Sequence, residues 1–411
     1  MRASSDDQRA MSVVSLLGEL APVGMSRAGG YERFAWSAAD AECREWFVQG
    51  AVSRGLDVET DRNGNLWAWL NPGLPGKALV MGSHLDSVPR GGAFDGPLGI
   101  ASAFAALDAL AGSSPSRPIA IVAFADEEGA RFGVACAGSR LLTGSLGADA
   151  ARALTDADGV TMAEAMDAAG IDARALGADR ERLARIGQYL ELHVEQGHLA
   201  TSIGHDGLTS DRPIGLATEI WPHGRWRVDI VGQQNHAGTT RLDDRRDPML
   251  GLADLIHGVR DAADRAGVLG TVGKVRVSPG AVNAIPGSVS AWIDARGGSE
   301  DAVRAALAGL GASVGFELIE ESWTPATRFD QDFAARVGGA IGSELPLLPS
   351  GAGHDAGVLA LAGIPTAMIL VRNPSGISHA PEEYAEDADC ERGVSALAAA
   401  VSHLADWRPN A

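Results

Sequence analysis

Two kinds of hydrophobic pattern divide this chain. The segments Ala78-Leu-Val-Met81, Ile119-Ala-Ile-Val-Ala-Phe-Ala125, Tyr189-Leu-Glu-Leu-His193-Val and Thr366-Ala-Met-Ile-Leu-Val371 are short and almost unbroken in their apolar character. Such runs predict strands buried on both faces of a parallel sheet. Between them lie segments that predict helices. One covers Asp6–Leu20. A second starts near Ser37, where Ser37-x-x-Asp40 approximates a capping box, and stops at Gly55. A third runs from Pro97, with proline in its first turn, to Gly112. Residues 148–187 read as mostly helical, and a long helix is predicted from Pro381 to Trp407. Leu56–Leu70 predicts two strands joined around Asn63-Gly64, a hairpin signal. Strands alternating with helices on this scale predict a doubly wound, mostly parallel α/β core.

Near residue 213 the pattern changes. Trp226-Arg-Val-Asp-Ile-Val231 alternates as a half-exposed strand. A helix follows over 247–266, then strands over 271–278 and 288–295, a helix over 300–310 and a strand over Phe316–Glu321. This is an α+β pattern with a one-sided sheet, and the α/β pattern returns after Pro325. Residues 213–326 are therefore expected to form a smaller domain inserted into a larger one made of 1–212 and 327–411.

Composition narrows the function. The formal charge of −19 argues against nucleic acid or an anionic membrane surface as a partner. The chain has no apolar run of the roughly 18 residues needed to span a bilayer, and its first residues lack the apolar core of a signal peptide. Cys43, Cys136 and Cys390 are scattered and without CxxC spacing. A disulfide framework and a cysteine-rich structural zinc site are thus both unexpected, and a cytoplasmic location is expected.

The chemistry gathers where predicted strands end. The Ala78 run leads into Gly82-Ser-His84-Leu-Asp86, and a glycine-rich loop then carries Asp95. The Ile119 run leads into Glu127-Glu128. His193 lies near the end of its strand, and His379 follows the strand ending at Val371. Ligands of open α/β sheets bind just beyond such ends. Two adjacent carboxylates there repel unless a cation lies near or one holds a proton. Together His84, Asp95, Glu128, His193 and His379 can supply a pair of metal ions with Asp95 as the bridge. Asp86 is placed to orient the His84 imidazole through its other nitrogen.

The motifs around these residues resemble one family. Gly82-Ser-His-Leu-Asp-Ser-Val-Pro89, Gly91-Gly-Ala-Phe-Asp-Gly-Pro-Leu-Gly99, Glu127-Glu-Gly-Ala-Arg-Phe132, Leu192-His-Val-Glu-Gln-Gly197, Asn235-His-Ala-Gly-Thr-Thr240, Asn283-Ala-Ile-Pro286, Ser350-Gly-Ala-Gly-His-Asp355 and Ser378-His-Ala-Pro381 are similar to the allantoate amidohydrolase and N-carbamoyl-L-amino acid hydrolase family. The resemblance spans nearly the whole chain. It implies two divalent metal ions, zinc foremost, with manganese, cobalt or nickel as alternatives. One is held by His84, Asp95 and His193, the other by Asp95, Glu128 and His379. Glu127 is then the general base, and His193 stands where related peptidases place a carboxylate.

The same resemblance implies a homodimer in which the inserted domain acts as lid and dimer contact. His236 then stabilises the developing oxyanion in the partner's site. It implies a small ureido or amide acid as substrate, its carboxylate read by Arg296, with Gln196, Asn283 and the backbone N–H groups of Gly351 and Gly353 adding hydrogen bonds. His354 matches a family motif without an assigned role, and helix initiation is an equal candidate. Arg241 stands where the family commonly has proline, and Trp221-Pro-His223-Gly-Arg-Trp226 is unusually aromatic and basic. Both departures bear on substrate identity. The competing readings are an aminoacylase or dipeptidase of the wider group and a non-catalytic protein that binds ureido acids.

Overall fold

The computed structural model describes residues 11–198, 207–342 and 344–409. Backbone contacts divide the chain into two compact units, one comprising the residues up to Thr218 and from Arg328, the other Glu219–Thr327.

In the first unit a nine-stranded sheet carries the site. Its four central strands run in the spatial order Ile119–Phe124, Ala78–His84, Ile186–Val194, Thr366–Val371, each parallel to its neighbour. Ala78–His84, Ile119–Phe124 and Thr366–Val371 are buried at every position, as the unbroken apolar runs require. The hairpin Asp57–Thr60 and Leu66–Leu70 adds antiparallel strands at one side, and Ile214–Ile220 pairs antiparallel at the other. Leu79, Met81, Ile121, Leu190, Leu192, Ile369 and Val371 pack against Leu16, Phe47, Phe104, Leu397 and Val401. These come from the helices Val13–Leu20, Ala38–Ser53, Pro97–Ala109 and Asp387–Leu404.

The helix Pro97–Ala109 connects Ala78–His84 to its parallel neighbour Ile119–Phe124, the usual way two parallel strands are joined. A smaller cluster, with Trp36, Phe132, Leu141, Met162 and Met166, lies under the segments that follow Phe124.

The second unit has the antiparallel strand order Leu269–Ser278, Ser288–Arg296, His223–Val231, Ile319–Thr324. Alternate residues of its two central strands are buried, among them Trp226, Val228, Ile230, Val289, Ala291 and Ile293. They pack with Leu252, Leu255, Val259, Val303 and Leu310 of the helices Pro248–Ala266 and Glu300–Val314.

Several boundaries differ from the sequence expectation. The C-terminal helix starts at Asp387 rather than Pro381, because Pro381–Glu386 is drawn into a loop by Glu383. The strand expected at Phe316–Glu321 occupies Ile319–Thr324. The stretch 148–187 breaks into the short helices Ala148–Arg152, Met162–Ala168 and Arg180–Arg185, and the next strand already begins at Ile186. Ser37 does cap its helix, but the Asp40 carboxylate accepts from Trp36 N, at 2.9 Å, instead of closing the box. The Asp6–Ala10 part of the first predicted helix lies outside the described residues. Among the described residues, no helix is long and apolar enough to cross a membrane.

Candidate metal centre

Because the four central strands are parallel neighbours, their C-terminal ends line up along one edge. His84 closes its strand, His193 is one residue from the end of the next, and Glu127-Glu128 follow Phe124. His379 sits in the loop after Val371, with φ 56°. Asp95 enters from the loop before the helix Pro97–Ala109 and stands among them. Its Oδ1 is 3.4 Å from His84 Nε2 and 3.2 Å from His193 Nε2. Its Oδ2 is 3.3 Å from His379 Nε2, which is itself 3.5 Å from Glu128 Oε2. The loop can lie this close only because residue 96 is glycine: a Cβ on Gly96, at φ 87°, would stand 2.5 Å from the His84 ring.

Among the described residues three donor groups are close enough to hold an ion: His84–Asp95–His193 and Asp95–Glu128–His379, which share Asp95, and Glu191–His193–His354, which shares His193 with the first. His193 Nε2 is buried and makes no hydrogen bond although a carboxylate oxygen lies 3.2 Å away. The remaining ring nitrogens are fixed: His193 Nδ1 lies 2.9 Å from the Val194 carbonyl, and His84 Nδ1 lies 3.1 Å from the Asp86 carbonyl. Imidazoles anchored through one nitrogen and presenting the other, mixed with carboxylates, suit zinc or a similar divalent ion.

The electrostatics point the same way. Burial opposes charge on Asp95, yet His193, His379 and His84 hold it well below the usual carboxylate range. Burial likewise opposes charge on His84, and contacts with Asp86 and Asp95 outweigh it, holding the imidazole well above its ordinary value. His379 is lifted to about 9, the pull of Asp95 and Glu128 overcoming its burial. The cluster is an anionic pocket that favours positive charge at its centre.

Glu127 and Glu128 are neighbours with different surroundings. Burial and the nearby carboxylates Asp355 and Glu128 push Glu127 well above the usual range, against the pull of His84. Burial, then the charge of Asp95, raises Glu128 to about 7. Glu127 Oε2 lies 3.9 Å from His84 Nε2, at the edge of the first donor group. Its Oε1 accepts a hydrogen bond from Cys136 Sγ at 3.2 Å. The pair follows Asp126, a buried residue at φ 52°. Asp86 holds the turn: its two carboxylate oxygens accept from Glu127 N and Glu128 N, each at 3.1 Å. Asp86 thus faces His84 Nδ1 through both its backbone carbonyl and its carboxylate, whose Oδ1 lies 3.5 Å away, and the same carboxylate organises the two glutamates, a second task the sequence did not reveal.

The other expected residues fall into both units. Gln196 Nε2 donates to Asp95 Oδ2 at 2.7 Å. Gly351 lines a cavity with Gln196 and His354, and Gly353 is half-buried in the same loop. In the second unit, His236 is exposed on the short strand Asn235–His236, and its Nδ1 accepts from Gly238 N at 3.0 Å. The Asn283 carbonyl accepts from Ala237 N, so Asn283 and His236 adjoin. Arg296 ends the strand Ser288–Arg296 and is held two-pronged by Asp294, at 2.7 and 2.6 Å. His223 Nδ1 lies 2.9 Å from the Trp221 carbonyl, and Arg241 is exposed beside Asp243.

The model of Peptidase family M20/M25/M40 matches residues 80–403. The chain belongs to this family. Within it, the chain is 35% identical to an N-carbamoyl-L-amino acid amidohydrolase of Geobacillus stearothermophilus, over 94% of this chain and 96% of that protein. It is 32% identical to an allantoate amidohydrolase of Escherichia coli, over 95% and 96%. Its fold is similar to a hydantoinase/carbamoylase family amidase from Burkholderia vietnamiensis, with TM-score 0.85 and 29% identity over 96% of this chain and 97% of that one. AtUAH in complex with glyoxylate gives TM-score 0.84 at 27% identity, with the same coverage. This M20 member is a hydrolase of the allantoate and N-carbamoyl amino acid amidohydrolase type, acting on amide bonds.

Sequence reasoning missed three residues that shape this M20 site, Cys136, Glu383 and Glu191, and left a fourth, His354, without a role. Cys136 reaches Glu127 because Cys136 N and Ala137 N bond the carbonyls of Glu127 and Asp126, a loop closure no local pattern announces. Glu383 binds the Asp95 loop from far along the chain. The His354 ring stands edge-on to His193 with centroids 4.6 Å apart, so His354 is more than a helix initiator. Glu191, fully buried, takes hydrogen bonds from Ser83, Tyr189 and Ala356 behind the cluster. Its charge in the middle of an apolar strand was the available signal.

Proposed function

We propose that this hydrolase is metal-dependent and cleaves a linear ureido or amide C–N bond in a small carboxylate-bearing substrate, allantoate or an N-carbamoyl-L-amino acid foremost. The observation that carries the reading is Asp95, whose one oxygen faces His84 and His193 and whose other faces His379 beside Glu128. His84, Asp95 and His193 would hold one ion, and Asp95, Glu128 and His379 the second. Divalent ions bound there polarise a carbonyl oxygen and lower the pKa of water towards neutrality.

Glu127, beside these donors and lifted above its ordinary range by burial, takes a proton from the attacking water and passes it to the nitrogen as the C–N bond breaks. Cys136 caps one oxygen of this base and leaves the other towards the donors. His236 meets the developing oxyanion. Arg296 reads the substrate carboxylate with Asn283, Gln196 and the 351–353 loop in support, while Asp294 holds its guanidinium through Nε and Nη2. The names of the relatives and the small acid bound by AtUAH support a substrate of this size and charge. A homodimer is part of the proposal, as is the cytoplasm, whose reducing conditions suit the free, buried Cys43, Cys136 and Cys390.

The test is turnover by zinc- or manganese-loaded enzyme on allantoate, N-carbamoyl-L-amino acids, N-acetyl-L-amino acids and dipeptides. Ammonia release from a ureido acid supports the proposal. Turnover confined to the acetylated acids or dipeptides would replace it with the aminoacylase or dipeptidase reading.

A further inference from the structure

The two donor groups that share Asp95 are not built alike. His84 and His193 sit on buried strands, and each has its second ring nitrogen against a backbone carbonyl. His379 is half-exposed, lies on a loop and adopts a left-handed backbone conformation. Glu383 ties that loop to the rest of the site. This residue is 5% exposed. Its Oε1 accepts from both Phe94 N and Asp95 N, each at 2.9 Å. Its Oε2 accepts from the hydroxyl of Ser378, the neighbour of His379, at 3.1 Å, and that hydroxyl is also 3.4 Å from Asp95 Oδ2. One carboxylate therefore grips the backbone of the shared donor Asp95 and the residue preceding His379.

The loop before Asp95 is shaped around this grip. Gly92 lies so close that a Cβ there would stand 2.2 Å from Glu383 Oε1 and 2.5 Å from its Cβ. A side chain at position 92 and the Glu383 carboxylate cannot occupy their places together.

We infer that Glu383 is a positioning residue for the Asp95–Glu128–His379 site, setting its metal affinity while leaving the His84–Asp95–His193 site largely intact. The inference rests on the two-ion reading above. The physical reason is entropy: a donor on a strand is already placed, whereas a donor on a loop must be ordered at a cost to binding unless something holds it. Glu383 supplies that hold for His379 and fixes the direction in which Asp95 offers Oδ2.

Zinc content after equilibrium dialysis of the full chain, over a range of free zinc, tests this without reference to turnover. Wild-type protein should take up two ions. Glu383→Ala should retain one with near wild-type affinity and bind the other roughly 10- to 100-fold more weakly, the usual effect of removing a partner behind a metal ligand. Gly92→Ala should do the same by displacing the carboxylate. Glu383→Gln, which keeps an oxygen for the two N–H groups and is the variant to use if Glu383→Ala does not fold, should fall between. Two full-affinity ions in folded Glu383→Gln and Gly92→Ala would overturn the inference and leave the two-ion reading standing. Equal weakening of both ions would also overturn it, since Glu383 would then support the fold at large. Wild-type protein that saturates below two ions would sink the two-ion reading and the inference with it.

Discussion

The thiol of Cys136 donates to Oε1 of Glu127 at 3.2 Å, while Oε2 of the same carboxylate faces His84. A thiol is a weak donor, yet here its acceptor is a carboxylate and both groups are buried. The contact restricts the glutamate to one orientation. Cys136→Ala should lower kcat by roughly three- to tenfold with KM little changed, the size of one ordinary hydrogen bond. Cys136→Ser, which keeps a donor, should recover part of the loss. Equal kcat for wild type and Cys136→Ala would show that packing alone orients Glu127.

Arg296 is the proposed reader of the substrate carboxylate, already braced by Asp294. Arg296→Ala should reduce kcat/KM by roughly 10- to 100-fold for an acid substrate and much less for the corresponding uncharged amide. Arg296→Lys should rescue only partly, since lysine retains charge but not the planar fork. An equal loss on acid and amide would assign Arg296 to the integrity of its strand.

Mixing subunits tests the place of His236. His236→Ala and Glu127→Gln proteins should each be inactive alone. If His236 serves the partner's site, their heterodimer contains one site with both groups and regains part of the activity. Confirmed heterodimers without activity would put His236 in its own subunit's chemistry or outside catalysis.

The core of the candidate metal centre was legible in the sequence for a physical reason. Strands buried on both faces have little choice of residue, so His84, Glu127-Glu128 and His193 stand out where the apolar runs end. Parallel pairing then brings those ends to one edge. What was not legible depends on contacts between distant segments. Glu383 was absorbed into a predicted helix because Pro381 and the residues after it look like a helix start, and only its bonds to Phe94 and Asp95, from elsewhere in the chain, hold 381–386 as a loop. The spacing of Asp86, two residues from His84, announces a partner for that ring, and its Oδ1 does lie 3.5 Å from His84 Nδ1, but nothing local announces that the same carboxylate also holds the backbone of Glu127 and Glu128. The strand Ile214–Ile220 and the helix Gln331–Ile341 were missed where the chain passes between its two patterns.

In the proposed mechanism two adjacent glutamates do different work, Glu128 as a ligand and Glu127 as a base. Zinc content and ammonia release, measured side by side on folded Glu127→Gln and Glu128→Gln proteins, test it most directly. Glu127→Gln should keep both ions and lose turnover by a factor on the order of 10² or more. Glu128→Gln should lose affinity for one ion, and its activity should recover in part as zinc is raised. Near-normal turnover by metal-loaded Glu127→Gln, or loss of an ion from it with none lost from Glu128→Gln, would contradict the assignment.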